Sequence, residues 1–301
     1  MKHTTLVFLF PAGPITPKQV DYDYEKEYTA AANYCEVRLI ELDKLTEASI
    51  VKLNRTLPKN AVVIYRGWML TPEQYGILEK WARSQDVILC TSLQEYTNTH
   101  LSPSWSDRAN TLHSRWSEDL SESALIQLLN EFSSAVTVKD FVKSRKHEWA
   151  EAFFIPDPSD TPQALRVIRT FIERQGEQLV DGIVLREFVE LKEIGHHPKS
   201  HSPIFEEYRV FYWRSIPVVI IDYWHNDTVQ LNQQELAFIT EQGQTLASSF
   251  FTIDYARKAN GELVIMEIGD GQVSGLQEYD EKCFYKKLFE AMKEAEDASL
   301  R

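Results

Sequence analysis

The residues of this sequence with the plainest chemical potential are two carboxylates, Asp254 and Glu267. Asp254 sits in the run 251–256 and Glu267 in the run 263–271, both dominated by apolar and β-branched residues that favour strands. Asn260-Gly261 between them supplies a tight turn. An antiparallel hairpin brings the two acids close together if they share a face near its open end. Inside an apolar hairpin they then repel each other, unless water solvates them or a cation lies between. Carboxylate oxygens suit a hard divalent ion, and Mg²⁺ is the natural candidate. The alternative is a solvated edge hairpin with two ordinary acids, since carboxylates are mostly exposed.

A second group carries the opposite charge. Lys139, Lys143, Arg145, Lys146 and His147 cluster in one short stretch. A strand formed from residue 135 onward delivers Lys139 at its end, and a further strand follows near 152–155. A lysine at a strand end, with more cations in the next loop, suits phosphate oxygens, which need charge without a fixed geometry. A solvated basic hairpin tip is the plainer alternative. The like charges of the loop 140–149 repel one another, so the loop is expected to be loosely ordered until an anion arrives.

The elements that must position these groups follow from the rest of the chain. Its 301 residues are 43% hydrophobic and 26% charged, which is ample for two or three lobes. No apolar run is long enough to span a bilayer, and the run 6–10 reads as a buried first strand rather than a leader. The three cysteines have neither metal nor disulfide spacing, which points to a cytoplasmic setting. A net charge of −13 argues against nucleic-acid backbones as partners and for a small anionic ligand at the local basic site. No Ser–His–Asp or Cys–His arrangement is evident.

In order, short apolar runs at 6–10, 36–42, 61–65 and 87–90 read as strands, alternating with helical stretches at 24–34, 46–54 and 71–84. The alternation implies a small, largely parallel sheet with helices on both faces. Arg66, after the third strand, is a candidate ligand contact or a structural arginine on a surface loop. Residues 91–134 read as an irregular aromatic connection ending in a helix at 122–132, and His100 and His113 there read as structural histidines. A helix at 161–175, a strand at 182–191, a polar loop at 195–203 with three histidines, a hairpin over 205–224, a helix at 232–242 and an amphipathic helix at 280–295 complete the pattern. Glu207 and Arg209 share one face of their strand.

With these segments in place, the chain from about Lys139 to Leu276 resembles an ATP-grasp domain, and more narrowly the R2K clade. The resemblance is carried by the strand-end Lys139 and its loop, by 184–189, by 207–211, and by Asp254 with Glu267-Ile268-Gly269-Asp270-Gly271. The segments 65–72 and 96–103 are similar to the clade's preceding region. The implied fold is an N-terminal α/β domain over 1–110, a connection over 111–134 and an α+β ATP-grasp domain over 135–301. The small lobe of that domain spans about 135–190 and the large lobe about 191–301.

The resemblance also implies ATP and Mg²⁺ as cofactors. Lys139, with Lys143, Arg145 and Lys146, faces the phosphates, and the backbone of Glu187 and Val189 faces adenine. Phe188 packs the lobe, and Glu190 or Glu193 faces the ribose. Glu207 pairs with a cation or contacts the phosphate and metal, Arg186 and Arg209 are the clade's two arginines, and Asp254 and Glu267 carry the metal. Many ATP-grasp enzymes place an asparagine two residues after the second metal-binding glutamate; here Gly269 stands there, so Asp270 either completes the site or the site has one ligand fewer. The implied activity is carboxylate–amine ligation through an acyl phosphate, on a small-molecule or peptide substrate. A kinase-like phosphotransferase and a non-catalytic ATP-binding module are the alternatives.

Overall fold

A computed structural model describes residues 5–196, 203–224 and 231–299 of the chain. Most of the expected polar loop at 195–203, including His197 and His201, lies outside the described residues. By compactness the chain divides into two units, one of residues 1–98, 208–253 and 269–301 and one of residues 99–207 and 254–268.

The chain opens with β1 (Leu6–Pro11), α1 (Glu25–Ala31), β2 (Glu36–Ile40), α2 (Leu42–Ala48), β3 (Val62–Tyr65), α3 (Pro72–Ser84), β4 (Ile88–Leu89) and α4 (Leu93–His100). It continues with β5 (Ser114–Ser117), α5 (Glu122–Leu129), β6 (Val136–Asp140), β7 (Phe154–Ile155), α6 (Thr161–Gln175), β8 (Ile183–Glu187), β9 (Glu193–His196) and β10 (Pro203–Phe205). Then follow β11 (Glu207–Trp213), β12 (Ile216–Asp222), α7 (Gln233–Gln244), β13 (Phe250–Arg257), β14 (Leu263–Asp270) and α8 (Glu281–Ser299).

In the first unit the four N-terminal strands form a parallel sheet in the order β2-β1-β3-β4. Strand alternation sorts its side chains between two cores. Phe8 and Phe10 point to one face and pack with Ala30 and Ala31 of α1 and with Phe284, Tyr285 and Leu288 of α8. Val7 and Leu9 point to the other and pack with Leu45 of α2 and with Tyr75, Leu78 and Ala82 of α3. The mixed α/β class with helices on both faces of a parallel sheet is therefore as expected. The expected helix at 46–54 is instead α2, ending before Ser49 at φ 55°. The chain must turn there because Glu41 N donates to Lys52 O and Leu39 N to Asn54 Oδ1, which returns residues 52–54 to the end of β2.

The second unit holds an antiparallel sheet ordered β5-β8-β6-β7. Its strand β5 comes from the stretch expected to be irregular; Ser-Arg-Trp-Ser has little strand signal of its own and takes its form by pairing with β8. Helices α5 and α6 cover one face, where Leu125, Leu128, Leu165, Ile168 and Phe171 meet Val136, Val138, Ile183 and Leu185. A last sheet runs in the order β12-β11-β13-β14. The β11–β12 turn is Arg214-Ser215, both with left-handed φ (45° and 70°), as a two-residue hairpin requires.

Arg66 corrects one expectation. It is not on a surface loop but 1% exposed, in the first unit. Its Nε and Nη2 donate to Glu27, which also accepts from Tyr285 Oη. Its Nη1 reaches the carbonyls of Gly271, Gln272 and Ser274, so one guanidinium ties the turn after β14 to the end of β3. Burial pulls its pKa down, but Glu27, by charge and hydrogen bond, together with Tyr285 and Tyr24 offsets this and leaves it raised. Removing one member of a buried pair strands the other charge. Arg66→Ala is therefore expected to cost about 3–5 kcal/mol in urea unfolding, against about 0.5 kcal/mol for a surface arginine such as Arg83.

Candidate functional site

The sheet of the second unit explains how its charged groups are presented. Val136 and Val138 enter the helix-covered core, so Thr137 and Lys139 point to the opposite face. Register pairs Thr137 with Arg186 and Lys139 with Val184, which puts Lys139 and Arg186 together on that face. There Lys139 Nζ donates to Glu267 Oε1 at 2.8 Å, and Arg186 Nη1 donates to Met266 O. Lys139 is buried and Glu267 half-exposed. The Lys139 ammonium also lies 5.9 Å from the centroid of the Trp105 ring. Burial lowers the Arg186 pKa, opposed by the Glu267 carboxylate. A guanidinium nevertheless stays charged at any working pH.

Asp254 on β13 is buried within the same unit, on the strand adjacent to β14 and its Glu267. Asp270 belongs to the first unit, where its Oδ1 accepts from Gln272 N and Nε2 at 2.9 and 3.1 Å, and where Gln272 Oε1 accepts from Tyr65 N. Among the described residues no three His, Cys, Asp or Glu side chains form a group that could hold a metal. Two carboxylates on neighbouring strands, with oxygen donors only, fit a hard ion that keeps several waters and takes phosphate oxygens as its other ligands. A side chain at Gly269 would begin 2.9 Å from Thr252 Oγ1 and 3.1 Å from Ser274 Oγ, two hydroxyls hydrogen-bonded to each other at 2.8 Å. The position that many relatives fill with asparagine is closed by that pair.

The basic loop differs from the expectation of a mobile, self-repelling segment. Buried Asp140 accepts from Val142 N and Lys143 N through Oδ1 and from Gln175 Nε2 through Oδ2, while Asp140 N donates to Lys143 O. Arg145 pairs with Glu148 and donates to Gln175 Oε1, and Arg174 pairs with Glu148 and Glu151. The acids of the loop and the end of α6 offset the repulsion; hydrogen bonds from Arg145 and Arg174 hold the Glu148 carboxyl below the usual range. Lys143 and Lys146 stay exposed.

The remaining candidates are dispersed. Glu187 accepts from His113 N, and Phe188 N donates to Ala135 O. Phe188 packs edge-on against Phe154 and Trp149, at 4.9 and 5.8 Å between centroids. Val189 is half-buried, and Glu190 and Glu193 are exposed. Glu207 opens β11 in the second unit, while Arg209, in the first, donates to Gly275 O and lies 5.2 Å from the Tyr223 ring centroid.

Comparison with known proteins adds the lineage. A model of the ATP-grasp domain, R2K clade family 3, matches residues 129–288, more than half of the chain. The chain belongs to this family. No curated protein matches its sequence significantly. Solved ATP-grasp structures share its fold: D-alanyl-alanine synthetase A from Vibrio cholerae has a TM-score of 0.54 at 10% identity, over 98% of each chain. A RimK-domain ATP-grasp protein from Sphaerobacter thermophilus gives 0.58 at 12% identity, over 95% of this chain and 99% of its own. The D-cycloserine synthetase DcsG gives 0.57 at 13%, over the same shares.

Two features of this ATP-grasp chain escaped sequence reasoning. Glu206 is buried between Lys192 Nζ at 2.9 Å and Arg257 Nε at 2.6 Å, all in the second unit; residues this far apart leave no local spacing to read. His100, buried as a structural histidine is, also lies in the electrostatic field of the candidate site: burial lowers its pKa to about 4, Glu267 raises it, and Lys139 and Lys143 lower it. A histidine neutral in the fold and ordinary when unfolded gives up stability as pH falls from 6.5 towards 4, because the unfolded chain takes the proton first. Between pH 7 and 4 this contributes a loss of roughly 3 kcal/mol. His100→Gln is expected to flatten that limb of the stability–pH curve, measured by urea unfolding; an unchanged limb would assign the loss to other groups.

Proposed function

We propose that this chain is an ATP- and Mg²⁺-dependent carboxylate–amine ligase acting through an acyl phosphate. The observation supporting it is the Lys139–Glu267 pair on the face of the second unit's sheet opposite α5 and α6, with Arg186 on the same face two residues along from Val184, the cross-strand partner of Lys139. A buried ammonium and a carboxylate neutralise each other here, yet their natural partners are a phosphate and a metal ion. The fold likeness to ATP-grasp ligases agrees with this reading.

On this reading Lys139 offsets phosphate charge, with the exposed Lys143 and Lys146 at the loop and Arg145 bracing it. Glu187, Phe188 and Val189 border the adenine, and Glu190 and Glu193 the ribose. Asp254 and Glu267 hold Mg²⁺, with Glu207 as a further contact, while Asp270, buried in the first unit with its carboxylate on Gln272, is not a third ligand. Bound there, Mg²⁺ supplies Lewis-acid charge on phosphoryl oxygens. A substrate carboxylate oxygen attacks the γ-phosphorus, the bond to the β,γ-bridging oxygen breaks, and ADP leaves. The amine nitrogen then adds to the acyl carbon, phosphate departs with the C–O electrons, and the nitrogen loses a proton. Lys139, Arg186 and Arg209 act by charge and position, which suffices for phosphoryl transfer.

The reading keeps 1–110, 111–134 and 135–301 as domain, connection and ATP-grasp domain, with the latter's lobes at about 135–190 and 191–301. It also places the protein in the cytoplasm, in line with its three free cysteines. Among the described residues no helix is long and apolar enough to cross a membrane.

Two measurements test the function. Incubation with Mg²⁺–ATP, hydroxylamine and a panel of amino acids and peptides is expected to yield ADP and a hydroxamate; a stable phosphorylated product moves the reading to a kinase-like enzyme, and AMP with pyrophosphate overturns it. In calorimetry, Lys139→Ala is expected to weaken ATP roughly ten- to a hundredfold. Glu267→Gln, by releasing Lys139 from its internal partner, is expected to tighten metal-free ATP binding while abolishing Mg²⁺-dependent turnover.

A further inference from the structure

The turn that follows α4 carries three polar side-chain atoms with no partner among the described residues: Ser102 Oγ, Trp105 Nε1 and Ser106 Oγ. The three residues are 2%, 3% and 4% exposed. A buried indole N–H can only donate, and leaving it or a buried hydroxyl unmade is costly. Three such groups in one five-residue turn call for an occupant. Backbone geometry sets them together, since Ser102 O accepts from both Trp105 N at 3.2 Å and Ser106 N at 3.0 Å. Ser102–Ser104 form a single 3-10 turn that Trp105 leaves at φ −131°, so the three residues stand within one turn of each other.

The turn is also fastened to the phosphate-type loop. Ser102 N donates to Phe141 O at 2.7 Å, just beyond the strand that ends in Lys139 and Asp140. Trp105 lies under the Lys139 ammonium. Neutral donors beside a buried cation suit an oxyanion better than a neutral ligand, because hydrogen bonds to a charged acceptor are the strong ones.

We propose that Ser102, Trp105 and Ser106 form an oxyanion subsite adjoining Lys139, which takes a phosphoryl or carboxylate group of the reacting ligands. The proposal rests on the ligase reading and adds to it a donor set outside the 129–288 family match. The three donors are buried beside Lys139, and on this proposal the oxyanion takes the place of Glu267 as the partner of the ammonium.

Trp105→Phe and the double change Ser102→Ala, Ser106→Ala test this, because they remove donors that have no partner in the ligand-free fold. The double serine variant is expected to unfold at or above the wild-type denaturant midpoint, since unmet hydroxyls are lost, whereas Trp105→Phe also leaves a smaller ring in a buried place and is expected to fold with a somewhat lower midpoint. Calorimetry then compares Mg²⁺–ADP, Mg²⁺–AMPPNP, and inorganic phosphate or acetate added to the protein with and without Mg²⁺–ADP. Weakening of AMPPNP and phosphate by about tenfold or more, with ADP unchanged, supports the subsite and identifies a phosphoryl group as its occupant. Weakening of acetate alone supports it and identifies a carboxylate. Wild-type affinity for every probe means that the donors meet an ordered water only, and overturns the proposal. So does an equal loss for ADP, which marks the turn as a support of the nucleotide site. If the wild type binds neither nucleotide, the ligase reading fails, while the phosphate and acetate arms still decide the subsite.

Discussion

The second unit is organised by one constraint: a lysine ammonium is buried at the end of β6, and it must have an anion. Glu267 meets that need at 2.8 Å. The contact fixes β14 against a face that α5 and α6 leave uncovered, and Arg186 adds a second link one residue away, at Met266. Such an ion pair contributes little net stability compared with an apolar pair, because the ammonium must be desolvated while the half-exposed carboxylate stays partly in water. Two well-packed leucines would hold these strands at least as firmly. On the proposed reading, the charge at this point serves chemistry rather than folding.

The apolar side of the same strands does the folding. Alternation along β6 and β8 sends Val136, Val138, Ile183 and Leu185 into the helix-covered core and leaves Thr137, Lys139 and Arg186 on the other side. Each strand thus serves stability and site with alternate residues, and a one-residue slip of register would exchange the two sets. Asp140, the last residue of β6, guards against that slip. Its carboxylate gathers Val142 N, Lys143 N and Gln175 Nε2, so the strand end, the basic loop and the C-terminal turn of α6 share one anchor.

Much of this organisation was legible in the sequence wherever it was periodic. The strands of the parallel sheet, the capped helix at Thr71-Pro72 and the amphipathic stripe of α6 follow from local signals, and all three are present. Lys139 beyond a run of apolar residues, and Asp254 and Glu267 across an Asn-Gly turn, were readable for the same reason. What was not legible depended on partners distant in sequence. Charge counting along 139–147 gave repulsion, because Arg174 on α6 and its share of Glu148 and Glu151 are invisible from the loop itself. Arg66 looked like a loop arginine, because nothing near it announces Glu27 or the carbonyls after β14. The strand β5 has no pattern at all until β8 lies beside it.

Gly269 joins these two kinds of information. From the sequence alone it is a missing ligand, and Asp270 is the obvious replacement. The packing points elsewhere. Gly269 is a glycine for a reason of space, since Thr252 and Ser274 close their hydroxyls over the position a side chain would occupy. Asp270, fully buried, spends its carboxylate on the turn that carries Gln272, whose amide in turn braces Tyr65 and Tyr75. Both residues thus serve the first unit's interior, and the second-unit parts of β13 and β14 are left with Asp254 and Glu267 as their carboxylates. On the proposed reading, a site with two protein carboxylates leans on the nucleotide's own phosphate oxygens to complete an octahedral shell. It then has little hold on a metal without the nucleotide, and little hold on the nucleotide until Glu267 releases Lys139. On that reading, the two ligands are coupled through a single ion pair.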